Sequence, residues 1–146
     1  SNFWGRYADK NSFAKMIEKC LIFMIVSKIF VVFAVPSTGK YIFILYYIFN
    51  GIAQGGINSA LINLIFDYVS IEKRSDSLAI TQAAAGLTGF LTTLLVSPLV
   101  SYIQKNGNMI FGIHIYAQQF VTVIGAILAI LAVIYVRSIF IKKQVN

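Results

Sequence analysis

Apolar positions gather in four long blocks, at 17–35, 41–66, 78–103 and 113–136, and polar residues collect between them. A helix needs about 20 apolar residues to cross the hydrocarbon core of a bilayer. Each block meets or nearly meets that length. Backbone groups in lipid must bond within their own segment, which favours helices over open strands. The pattern therefore predicts an all-α fold: a polytopic membrane helical bundle of four transmembrane helices. A loop at 1–16 and a basic tail at 137–146 flank it, and no linker is long enough to divide the unit.

The polar interruptions differ between blocks. The first carries one anomaly, the cation Lys28 near its centre, and Pro36-Ser37-Thr38-Gly39 then forms a tight turn. A turn that short makes the first two helices antiparallel neighbours. The second block is the least lipid-like. Asn50, Gln54 and Asn58 recur every four residues and so share a helical face, beside Ser59, Asn63 and Asp67. Amides facing acyl chains cost several kcal/mol each, so this side is expected to face protein or water. Gly51 and Gly55 lie among them, and Gly86 and Gly89 lie in the third block near Ala85. Small residues at such spacing let helices approach closely, and these four glycines are expected to serve packing. Gln82 opens the third block and Pro98 stands near its far end. Asn106-Gly107 signals a turn before the fourth block. That block is the most uniformly apolar, which predicts the most peripheral helix.

Charge adds an orientation. Arg6, Lys10, Lys15, Lys19, Lys73, Arg74, Arg137, Lys142 and Lys143 fall on one side of the four-span arrangement, against Lys40 and Lys105 on the other. The positive-inside rule makes the first side cytoplasmic, with both termini there. All five acids, Asp9, Glu18, Asp67, Glu72 and Asp76, lie on that side or at its membrane edge. The net charge of +7 is thus accounted for by topology, without nucleic acid as a partner. Charged residues make up only 12% of the chain, about half the share usual in soluble domains. Cys20 is the only cysteine, so no internal disulfide can form. No cleavable signal is visible. The opening residue is not Met and the first residues read like the middle of a loop, which predicts a piece of a longer polypeptide.

One segment carries a resemblance. Gly5-Arg6-Tyr7-Ala8-Asp9-Lys10-Asn11-Ser12 resembles the cytoplasmic signature of the major facilitator superfamily, G-x-x-x-D-[RK]-x-G followed by basic residues. Gly5, Asp9 and Lys10 match; Ser12 replaces the second glycine, and the basic cluster is reduced to Lys15. This decay is similar to the weaker second copy of the signature, which joins the eighth and ninth helices of that family. The stretch 67–79 also resembles the loop before the eleventh helix, though its usual proline is missing. The resemblance implies the ninth to twelfth helices of a transporter, with the eight preceding helices lying upstream in the same polypeptide. It implies secondary active transport of a small solute by alternating access. The second block would line the central cavity, and the Gly5, Arg6, Asp9 and Lys10 motif would act as a cytoplasmic gate. The richness in Asn, Lys and Ile is similar to that of low-GC bacteria, which places the protein in a plasma (inner) membrane.

Each candidate residue also has a plainer role. Asn50, Gln54, Asn58 and Gln82 can line a substrate pathway or simply bond between helices. Lys28 can pair with an anion or snorkel along its helix to the surface. Asp9 can gate or be a solvated loop acid, and His114 sits at the membrane edge. No metal cluster, nucleophile triad or phosphate-cradling loop is legible, so the sequence points to no enzyme, catalytic residue, metal or cofactor. The expected partners are the lipid bilayer, the upstream helices and an unidentified small-molecule solute. Two alternatives stand beside this reading: a stand-alone four-helix exporter, and a non-transporting membrane scaffold subunit.

Overall fold

The computed structural model describes residues 2–110 and 112–138, and the expected tail cations Lys142 and Lys143 lie outside them. The described chain is all-α apart from one short hairpin. The helices are α1 (Asn2–Lys10), α2 (Phe13–Val32), α3 (Gly39–Tyr68), α4 (Arg74–Lys105) and α5 (Ala117–Val136). A 3₁₀ turn at Ile71–Lys73 precedes α4. Two strands, β1 (Met109–Ile110) and β2 (Ile113–His114), pair antiparallel before α5.

Each of the four apolar blocks overlaps one of the helices α2 to α5. Two segments, Ile71–Lys105 and Ala117–Val136, are long and apolar enough to cross a membrane by themselves. The helix α2 is diluted by Lys15, Glu18, Lys19 and Lys28, and α3 by its amides. The boundaries shift for local reasons. Ser12 caps α2, its Oγ accepting from the Lys15 N–H at 3.3 Å, so the helix begins before the apolar run does. Arg74 and Asp76 start α4 ahead of its apolar residues. The fourth helix begins only at Ala117, because the residues before it turn and pair as β1 and β2. Gly107 at φ 67° makes the turn that ends α4.

The expected loop at 1–16 is instead mostly helical over its described residues. Trp4 and Ala8, one turn apart, bury one face of α1. Trp4 donates from Nε1 to the Ile52 carbonyl at 3.1 Å, and Ala8 shares a cavity with Leu64 and Asp67. Thus α1 runs alongside α3 in the same direction, then reverses at Asn11 and Ser12 into α2. We call the end holding this reversal the basic end, and the opposite one the far end.

The helices α2 and α3 pack antiparallel through small and aromatic side chains. Ala53, Gly56 and Ala60 form the buried seam of α3. Phe49 meets Phe23 and Phe30 of α2, with ring centroids 6.0 and 5.5 Å apart. Met16 and Cys20 are fully buried beside Trp4, Ala8 and Ala60, and this cluster is the core.

The fourth block is the clearest departure from expectation. Instead of lying at the periphery, α5 packs along α2 at three levels. Gln119 donates from Nε2 to the carbonyls of Val32 (2.9 Å) and Ala34 (3.0 Å) at the far end. Lys28 lies across Gly125. Arg137 pairs with Glu18 at 2.6 Å at the basic end. Apolarity alone does not decide which helix packs against which; here close contacts and hydrogen bonds do. The peripheral helix is α4. It meets α3 near its start and α5 near its end, and every residue from 82 to 95 is exposed. Four of its threonines bond back to carbonyls of their own helix, as Thr88 does to Ala84 at 2.8 Å.

The Glu18–Arg137 pair joins a mostly buried carboxylate to a guanidinium that is 62% exposed. Replacing either residue by alanine is expected to cost on the order of 1 kcal/mol, with Arg137→Ala the costlier, since it leaves the carboxylate unpaired. A double-mutant cycle on thermal unfolding in detergent measures it. Additive losses would mean that the pair contributes nothing.

Candidate functional site

The amide residues of α3 turn away from its packed seam. Gln54 and Asn58 are exposed and Asn50 is half-buried. Residues 43, 47, 50, 54 and 58 fall on one helical face by their spacing. Phe43 and Tyr47, at the top of that face, line a cavity of about 320 Å³ at the far end, opposite Val121 and Thr122 of α5. The amide stripe is therefore the continuation of a cavity wall towards the basic end. Tyr46 completes the aromatic side, its ring edge-on to Phe43 at 6.3 Å and to Tyr47 at 5.2 Å. Gln118 adds a polar group from α5 and Val31 a floor position from α2. None of the three amide side chains is hydrogen-bonded to another described residue, whereas Asn63 bonds the Ser59 carbonyl at 2.8 Å.

Gln82 is exposed on α4. The four glycines expected to pack, Gly51, Gly55, Gly86 and Gly89, have open space where a Cβ would stand. Packing within the described residues falls instead to Gly56 and Gly125. A Cβ on Gly56 would overlap the Cys20 sulfur and come within 3.0 Å of the Trp4 ring; on Gly125 it would come within 2.7 Å of the Lys28 amine.

The motif at the basic end sits at the α1–α2 reversal. Gly5 is half-buried, while Arg6, Asp9 and Lys10 are exposed. The reversal is held locally by Asn11, whose Nδ2 donates to the Tyr7 carbonyl at 3.1 Å. A second cavity, of about 470 Å³, opens beside it, walled by Phe13, Ile17, Leu64 and Val136 with Asp67 and Tyr68 at its edge. Among the described residues no three His, Cys, Asp or Glu side chains come close enough to hold a metal.

Sequence reasoning missed three contact residues. Trp4 lies in a segment expected to be a loop, and Gln119 and Gly125 lie inside an apolar block. Each matters through partners remote in the chain, which leave no periodic mark in a sequence. No family model matches the chain, and neither a curated protein nor a solved structure matches it.

Proposed function

We propose that this chain is the last four-helix part of a secondary transporter resembling the major facilitator superfamily, moving a small solute by alternating access. In this reading α2 to α5 all cross the plasma (inner) membrane, with the basic end cytoplasmic. The cation distribution supports that orientation. The observation that carries the reading is the amide face of α3. Asn50, Gln54 and Asn58 stand off the packed seam, on a face that continues a cavity wall. Such a face in hydrocarbon would cost several kcal/mol per amide, so it belongs against water, solute or further helices. The direction of α1, which runs down beside α3 before reversing, supports it as the end of an earlier helix. The exposed Arg6, Asp9 and Lys10 would then meet the other half of the transporter as a gate. Rocking of two such halves about a site near the midplane is how this class works.

The test uses the full-length polypeptide with Cys20 replaced by alanine. Cysteines placed singly at positions 50, 54 and 58 are expected to react with a membrane-impermeant thiol reagent, and added solute to slow the reaction. Cysteines at 53 and 60, on the packed seam, should stay protected. Equal protection at all five positions, with uptake unchanged by alanine at 50, 54 and 58, would leave packing as the only role of the stripe.

A further inference from the structure

The reversal from α1 to α2 is built largely from small residues. Ala8, Ser12 and Ala14 fill little of the space between this turn and the ends of α3 and α5, and the basic-end cavity of about 470 Å³ is what they leave. That volume lies within the range of small-molecule sites. The walls are apolar, and Asp67 is the one charged residue among the described residues that line them. Its carboxylate has no hydrogen-bond or ion-pair partner among the described residues. The neighbouring cations are placed otherwise. Arg137, next to Val136, is engaged with Glu18 at 2.6 Å, while Lys10 and Lys15 are exposed and line no part of the cavity. Tyr68 shares the edge with Asp67, and an aromatic ring beside a carboxylate adds to the attraction for a cation.

We propose that the basic-end cavity binds a small amphiphilic amine, its apolar body among Phe13, Ile17, Leu64 and Val136 and its ammonium against Asp67. Charge selects this guest from the others that the walls would accept. An anion would set its charge beside Asp67 with no lining cation to meet it, and a neutral body would leave the carboxylate unpaired. An amine satisfies both the walls and the edge. Burial of the apolar body supplies the affinity, and the carboxylate supplies the selectivity. The net charge of +7 repels cations at long range, but salt screens that field over about 8 Å, so the charge in contact with the guest decides. None of the residues of the amide face lines this cavity, so the site does not rest on the transport reading.

The test is equilibrium dialysis of radiolabelled 1-naphthylmethylamine against the full-length polypeptide in maltoside micelles, with protein-free micelles subtracted. The neutral comparison is 1-naphthalenemethanol, which has the same ring and nearly the same shape. The amine is expected to bind about fivefold more tightly than the alcohol, the upper value for an ion pair at an exposed carboxylate. Asp67→Asn should bring the two probes to equal affinity without weakening the alcohol, and Asp67→Glu should keep the preference. Leu64→Trp should fill the cavity and lose both probes. Equal binding to the parent protein, or a preference that survives Asp67→Asn, would overturn the site. So would a Leu64→Trp protein with parental helical content by circular dichroism that binds both probes as the parent does. Displacement of the amine by added phospholipid would overturn it as well, since a lipid would then be the occupant.

Discussion

Leucine at position 56 is expected to separate α3 from α1 and α2. Gly56 lies at the crossing of the three helices, where even one added carbon would overlap the Cys20 sulfur and come within 3.0 Å of Cε2 and Nε1 of Trp4. Neither neighbour has room to yield. Cys20 is fully buried, and Trp4 is 5% exposed and held by its bond to the Ile52 carbonyl. Overfilling a packed site costs about 1–3 kcal/mol, and Gly56→Leu should reach or exceed the upper figure because a backbone crossing must open. Gly56→Ala should cost less, and Cys20→Ala in that background should recover part of the loss, since the sulfur is the worst of the overlaps. The recovery would appear as non-additivity of the two substitutions. Circular dichroism during heating in detergent reads the effect. A Gly56→Leu protein that unfolds at the parent temperature would mean that this crossing does not hold the helices together.

The second large effect is expected at Gln119. One amide there makes three bonds: Nε2 donates to Val32 and Ala34, and Oε1 accepts from the Tyr116 N–H at 3.1 Å. It thus satisfies two carbonyls that the end of α2 leaves without helical partners, and at the same time caps α5. Gln119→Leu removes all three, at about 1 kcal/mol each, for a loss of about 2–3 kcal/mol. Gln119→Glu is the sharper test. It is nearly the same shape and keeps the acceptor for Tyr116, but an ionised carboxylate would face two carbonyl oxygens with no proton to share. It should therefore be at least as damaging as leucine at neutral pH. Unfolding of the two variants side by side decides the matter. A glutamate variant as stable as the parent would show that the two donated bonds contribute nothing.

These two positions mark where sequence reading ends. The four apolar blocks announced helices because length and apolarity are properties of a single segment. The turn at 36–39 announced that α2 and α3 are neighbours because so short a connection allows nothing else. The amide stripe was legible because spacing alone puts residues 50, 54 and 58 on one face. What was not legible is which helix packs on which. The small-residue run in α4 looked like the packing helix and is exposed, while the bland α5 is the one fixed at three points. A glycine signals capacity for close approach; whether something approaches depends on a residue tens of positions away. Gly125 needs Lys28, and Gly56 needs Cys20 and Trp4, and neither pairing leaves a trace in local pattern.

The long helix α4 is held at its two ends and unsupported between them. At the start, Arg74 reaches back to α3, with Nη2 donating to the Phe66 carbonyl at 2.6 Å, Nε to the Val69 carbonyl at 3.2 Å, and the guanidinium 5.2 Å from the Phe66 ring centre. At the other end, Ile103 is fully buried. Pro98 lies within the helix and leaves the Leu94 carbonyl without its usual donor, so the backbone is softest there. A rod pinned at both ends with one soft joint answers a sideways force by flexing at the joint while its anchors stay put. Bending of α4 at Pro98 would leave the Arg74 bonds and the burial of Ile103 in place.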